Sequence, residues 1–378
     1  MNADASLADL DAHHHRLMAS LRTEGPVAWL AAMNGWVVLT RDLAAEVMRD
    51  PVTFTVDDPR FSTAQVVGPS MLSLDGAEHR RHREPFASAL RPSEVARRDA
   101  GPTTAHARRL VETLHPRGSA ELRRELAGPL AVSVAASALG LHDVHTDELL
   151  GWYDAIVAAV DGVAAGGGVS ESGAAAFDSL AGALRRAADQ PGSLLHDVSG
   201  VLDDRELVSN AAVFLFGGIE TSEGMTANVL HHLLVHPAEL ALVRADPNLI
   251  EAAVEESLRL EPAAARVDRY ATRDVELGGR RVAAGDLVIV SLAAANRDPS
   301  HFDEPDEFRV QRANARNHLA FAQGPHLCIG ATLARVETKA AVRAVLELLD
   351  DVRLTAPVTT TGVIFRKPVA LHAAWTSG

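Results

Sequence analysis

The sequence contains one cysteine, Cys328, so no internal disulfide can form, and a reducing cytoplasm is the expected setting. The first forty residues lack a basic stretch followed by an unbroken apolar one, so no signal peptide is expected. No run of about eighteen apolar residues free of charge is present either, which argues against a membrane anchor. The richest stretch, LVSNAAVFLFGGIE, is interrupted by Ser209, Asn210 and Glu220 and reads as a buried helix. Positive charge is also short. A net charge of −14 and the lack of a basic RNA or DNA motif exclude a nucleic-acid binder. No internal repeat shows.

What is present is a chain of 378 residues, 47% of them apolar, enough for a large core. Length alone allows two or three domains. Residues 26–48 predict an extended pair, GPVAWLAA and GWVVLT, and then a helix from Asp42. From about 75 to 260 the spacing is helical, broken by GVAAGGGVSESG (162–173), which predicts a flexible loop. Short strands follow from 267 to 292, with Gly278-Gly279 as a tight turn. Helix returns at 330–350, and a β-like tail occupies 352–375. With strands at both ends of a helical middle, the expectation is one domain over 1–378, mostly α with a small β lobe. The His13-His14-His15 run could chelate a metal but reads first as a solvated helix end.

The most informative segment is HLAFAQGPHLCIGATLARVE (318–337). Helical periodicity starts right after Cys328, so the sulfur belongs at a helix N-terminus, where the dipole and free N–H groups favour a thiolate. Gly324 and Gly330 allow a tight loop and the close approach of a flat ligand. A thiolate suits an oxygen-activating haem, because it pushes electron density towards O–O cleavage. A buried cysteine acting as a small hydrophobe is the alternative.

In the long helix expected over 207–234, Gly217-Gly218-Ile219-Glu220-Thr221-Ser222 interrupts the apolar pattern. Two helical glycines cost about 1 kcal/mol each relative to alanine, so something should compensate. Gly217, Gly218 and Thr221 share a face, where a groove would admit a flat cofactor. Thr221 can bond a carbonyl one turn back or hold a water, and Glu220 is a proton source. A small-residue packing contact with Glu220 on a wet face explains the same pattern. Elsewhere, Glu256 and Arg259 at i, i+3 read as a surface ion pair. His79 and Arg83, at i, i+4, are either carboxylate partners or part of a solvated basic face with Arg80, Arg81 and His82.

The spacing Phe321-x-x-Gly324-x-His326-x-Cys328-x-Gly330 resembles the haem-binding loop of the cytochrome P450 family. Ala322 stands where a glycine is common, and Pro325 follows Gly324. The segment 217–222 is similar to that family's oxygen-activation motif. Glu256-x-x-Arg259 resembles its buried core element, whose third partner is open: Glu307 occupies the usual arginine position, with Arg309 and Arg312 nearby. AANRDP (294–299) is family-like punctuation between these motifs.

The resemblance implies the cytochrome P450 fold, with haem b between the long helix and the cysteine loop and Cys328 as the axial iron ligand. It implies Phe321 beside the sulfur, and His79, Arg83, Arg269 and His326 on the haem propionates. Gly218, Gly324 and Gly330 would line the cofactor, while Thr221 and Glu220 manage protons during oxygen activation. It also implies a cytoplasmic, monomeric monooxygenase fed by a ferredoxin and an NAD(P)H-dependent ferredoxin reductase. Arg80, Arg81, Arg316 and Arg335 are candidate donor contacts, or plain solvated charge. The substrate expected is a hydrophobic natural-product intermediate, with Val213, Phe214, Ala263, Ala264, Val267, Ile364 and Phe365 among the pocket walls. Non-oxygenase chemistry on the same haem, such as coupling or dehydration, and a haem-based ligand sensor are the alternatives.

Overall fold

A computed structural model describes residues 5–164, 167–191 and 193–376 of the protein. The chain sorts into two compact units, one holding residues up to Thr55, Thr103–Gly128 and Thr221 onward, the other Val56–Pro102 and Pro129–Glu220. Helix dominates, with small sheets, as expected.

The first unit carries the strands. Its five-stranded sheet runs in the order Val27–Leu30, Gly35–Val38, Leu287–Ser291, Arg266–Ala271, Phe54–Thr55. Gly35–Val38 lies parallel to Leu287–Ser291, with Val38 opposite Val290, and Arg266–Ala271 is antiparallel, with Val267 opposite Val290. The run Val288-Ile289-Val290 has no polar alternation because both of its faces are covered. Val288 and Val290 join Val38, Met48 and Phe54 in one core cluster, while Ile289 joins Leu30, Val37 and Leu39 in another. The Gly278-Gly279 turn has both residues at positive φ, the geometry of a tight two-residue hairpin. The early strands thus pair with those of 266–291. The tail behaves differently: His372–Thr376 pairs with Asp350–Leu354 and with Ser119–Glu121. That last strand is three residues long, too short to show an alternation within a helical region.

Helix Ile250–Leu260 is the polar keystone of this unit. The Glu256–Arg259 pair is not a surface contact, since both side chains are fully buried. Two bonds of 2.8 Å join them, and Arg259 also donates to the carbonyls of Asn296, Pro305 and Glu307. The third partner is Arg312, whose Nε donates to Glu256 at 2.9 Å. Arg309 contributes its backbone N–H to the same carboxylate, while its guanidinium turns outward to Glu304 and Glu307.

The histidine run is a second correction, for the solvated end is a buried face. A helix begins at His14, and His14, Met18 and Leu21 form its buried stripe. His15 Nε2 lies 2.7 Å from Glu261, which also accepts from Arg366 at 2.9 Å. Burial pushes the His14 imidazole down to about 3, aided by the Arg366 charge, so the ring stays neutral.

The second unit is helical. Thr146–Ala164 and Glu171–Ala188 pack together, and a Cβ on Gly173 would stand 2.4 Å from that of Ala159. The expected loop over 162–173 is therefore shorter, with helix to Ala164 and again from Glu171, capped by Ser170. Residues 165 and 166 lie outside the described residues. Here close packing overrides the low helix propensity of glycine.

Removing one member of a buried charge triad strands the others. Glu256→Ala is expected to lower stability in urea unfolding by about 3–5 kcal/mol. Arg309→Ala, which removes only outward-facing pairs, should cost no more than about 1 kcal/mol. Equal losses would mean that the triad has no special weight.

Candidate active site

The loop around Cys328 is held by backbone geometry and by charge. Ala322 takes φ 59° and Gly324 φ 73°. The left-handed region explains why glycine would suit position 322, and alanine there carries a strain of about 1 kcal/mol. At Gly324 no side chain is possible, because a Cβ would lie 2.3 Å from the Met48 carbonyl oxygen. A short 3-10 turn, Gly324–His326, follows with Pro325 in its first positions. The Cys328 N–H then donates to the Phe321 carbonyl at 2.8 Å and closes the loop. Gly330 caps the helix Ala331–Leu348, so the sulfur stands just before a helix N-terminus as the periodicity predicted.

Glu255, next to Glu256, anchors this loop from below. Its carboxylate meets His318 Nε2 at 3.1 Å and accepts from Arg335 Nε at 2.6 Å. Burial pushes the Glu255 carboxyl up, but the bonds from His318 and Arg335, with the Arg335 charge, outweigh it and hold the group at about 2. Arg335 also lies 4.4 Å over the Phe321 ring, within cation–π range. Arg335, a candidate donor contact or plain solvated charge in the sequence, is tied to Glu255 and stacked on the Phe321 ring. Arg316 is exposed and pairs with Glu251.

The long helix runs unbroken from Asp204 to Val235, through both glycines. They differ in surroundings. A Cβ on Gly218 would sit 3.5 Å from that of Ala135, an ordinary contact distance, whereas one on Gly217, which is exposed, would meet nothing within 4 Å outside its own helix. Glu220 accepts a hydrogen bond from the Tyr153 hydroxyl at 3.0 Å. Thr221 is half-buried beside it. One residue on, Ser222 is buried and hydrogen-bonded to Glu337, whose carboxyl burial pushes up to about 8 against the smaller pull of that bond.

On helix Gly76–Ala89, His79 is buried and Arg83 half-buried, both on the inward side with Phe86. His82, read as part of a basic crowd, is 2% exposed. Its Nδ1 meets Asn210 Nδ2 at 2.9 Å, and Asn210 Oδ1 accepts from the Met71 N–H at 2.7 Å. Arg81 is outside, clamped by Glu78 and Glu206, and Arg80 is exposed. In the first unit, Arg269 is a buried strand residue donating to the Asp268 carbonyl, and His326 is half-buried.

The second unit also encloses an apolar pocket, lined by Val67, Tyr153, Ile156, Val160, Val213 and Phe216 among others. Val213 was expected there. The segments holding Ala263, Ala264, Ile364 and Phe365 instead run side by side, with the Ala265 N–H donating to the Ile364 carbonyl at 2.8 Å.

These residues fit an iron porphyrin. Cysteine is among the residue types most often buried, yet Cys328 is exposed at a glycine-flanked helix start, with a soft sulfur donor for iron. Arg269 is a buried cation of the kind that pairs with carboxylates. Among the described residues no helix is long and apolar enough to cross a membrane, and no cluster of three His, Cys, Asp or Glu could hold a separate metal.

Comparison with known proteins agrees. The family model for Cytochrome P450 matches residues 192–350. Cytochrome P450 monooxygenase PikC of Streptomyces venezuelae is 34% identical over 92% of this chain and 86% of its own. Nocardicin C N-oxygenase of Nocardia uniformis subsp. tsuyamanensis is 33% identical, covering 96% of this chain and 95% of its own. The structure of Cytochrome P450 CYP109Q5 from Chondromyces apiculatus superposes with a TM-score of 0.90 at 27% identity over the full length of both chains.

Glu337 generates a pH test. Its folded carboxyl keeps the proton to about 8, whereas an ordinary glutamate releases it near 4.5. Folding therefore takes up a proton across that window, and this group's contribution to stability is lost as pH rises through it. Glu337→Gln should gain stability over the wild type progressively from about pH 4.5 to 8 in urea unfolding, with a constant difference below. A difference independent of pH would mean that Glu337 titrates normally.

Proposed function

The chain belongs to the cytochrome P450 family, and within it we propose a ferredoxin-dependent haem monooxygenase that hydroxylates or otherwise oxidises a hydrophobic natural-product intermediate. The observation that carries this reading is the loop geometry at Cys328: a closed backbone turn presenting an exposed sulfur at a helix N-terminus.

Bound haem b would supply the redox chemistry, in which O₂, two electrons and two protons would give one oxygen atom to the substrate and one molecule of water. The Cys328 sulfur would ligate the iron, with the Cys328 N–H committed to Phe321 and the loop clamped by Arg335 and Glu255. His79, Arg83, Arg269 and His326 would pair with the propionates, and Gly324 and Gly330 permit the loop's close approach. On the long helix, Gly218 would line the cofactor, as the motif resemblance implies. Thr221 offers a hydroxyl that can donate and accept a proton, and Glu220 beside it is the carboxylate that would relay one inward. The hydrophobic substrate is read from the apolar character of the wall candidates Val213, Phe214, Ala263, Ala264, Val267, Ile364 and Phe365. PikC and nocardicin C N-oxygenase, one named a monooxygenase and the other an N-oxygenase, support oxygen insertion over coupling or dehydration.

Electrons would come from a ferredoxin and its NAD(P)H-dependent reductase, in the cytoplasm, to a monomeric protein. Arg80 and Arg316 are the exposed cations best suited to an acidic donor, against an overall charge of −14.

The test uses spinach ferredoxin and its reductase, with compounds selected by their shift of the Soret band. Product formed under ¹⁸O₂ should carry one labelled atom. Thr221→Ala should bind haem and compound as before, yet its product per NADPH should fall about tenfold or more, with peroxide rising in its place. Unlabelled product would transfer the reading to non-oxygenase chemistry, and an unchanged yield in the variant would remove Thr221 from the proton route.

A further inference from the structure

We propose that Tyr153 is a positioning residue for Glu220, holding the carboxylate of the proton route in one orientation through its phenol hydroxyl. The inference rests on the reading of Glu220 as a proton carrier. Tyr153 belongs to helix Thr146–Ala164 and comes to Glu220 across 67 residues of sequence, so no local motif announces the pair. Its hydroxyl donates to Glu220 Oε2 at 3.0 Å, and the side chain is 8% exposed.

The surroundings make this bond more than incidental. Tyr153, Ile156 and Val160 recur at helical spacing and line the same apolar pocket, where the other lining residues except Thr63 are apolar. A phenol placed in such company needs a partner for its O–H, and the carboxylate provides one. At 3.0 Å the bond lies at the long end of the O–H···O range, and its direction fixes where the carboxylate oxygen can sit. Phe216, one turn before Glu220 on the long helix, holds the phenol ring from the side, with ring centres 6.0 Å apart. The ring is thus fixed by the pocket wall, and the hydroxyl passes that fixation to Glu220. Tyr153 touches no reacting atom in this scheme; it acts through Glu220.

The sequence has two tyrosines, Tyr153 and Tyr270, which gives a readout that does not depend on turnover. Holoenzyme labelled with [¹³Cζ]tyrosine, reduced and CO-bound, should show two ring-carbon signals, one of them absent in Tyr153→Phe. Glu220→Gln should shift that signal and leave the Tyr270 signal in place. A Tyr153 signal indifferent to Glu220→Gln would overturn the pairing. The functional arm measures peroxide released per O₂ consumed with spinach ferredoxin and its reductase. Tyr153→Phe should raise this fraction at least half as far as Glu220→Gln does, with unchanged haem content, and should add nothing in the Glu220→Gln background. Tyr270→Phe should leave it at the wild-type value. If Glu220→Gln raises peroxide and Tyr153→Phe does not, the positioning role is wrong while the proton reading stands. If neither variant changes peroxide although the signal shift is present, the proton reading itself fails.

Discussion

Two neighbouring carboxylates on one helix organise the part of the chain that presents the cysteine. Glu256 gathers Arg259, Arg312 and the Arg309 N–H, while Glu255 gathers His318 and Arg335. Both acids are buried, and a buried charge persists only when paired and hydrogen-bonded. Four of these partners, Arg309, Arg312, His318 and Arg335, lie at intervals through the segment 309–335, so this stretch, which has little regular structure before residue 331, is pinned at several points to a rigid helix. The same constraint reaches the ring of Phe321 through the Arg335 guanidinium. The loop's shape thus depends on the helix Ile250–Leu260 as much as on its own residues.

Where the backbone is forced, the residue types follow. Gly324 packs against the Met48 carbonyl and turns left-handed, so no other residue fits. Ala322 takes a similar φ without being glycine, a local cost tolerated because the Cys328 N–H and the Glu255 contacts hold the loop from both sides. The buried histidines tell the same story in another region. His15 meets Glu261, which also holds Arg366, while burial, aided by the Arg366 charge, keeps the His14 imidazole neutral.

Sequence carried the chemistry further than the contacts. Cys328, its flanking glycines, and the helix starting behind it were legible because each residue type has few reasons to occur at that spacing. The tight Gly278-Gly279 turn and the strand Leu287–Ser291 were legible from local pattern. Long-range pairings were not. Nothing in FDEPDEFRVQR told that Arg312 rather than Arg309 meets Glu256, since both lie within reach and the choice is made by backbone path. His82 and Asn210 look like surface polar residues until two helices face each other. The strand Ser119–Glu121 is too brief for any alternation to register.

The account stands or falls on the sulfur of Cys328 being the haem ligand, and the carbon monoxide complex of the reduced protein reads that bond directly. The wild type should show the long-wavelength Soret band of a thiolate-ligated haem, and Cys328→His should move it to the globin-like position. A band at the same position in both proteins would contradict the assignment.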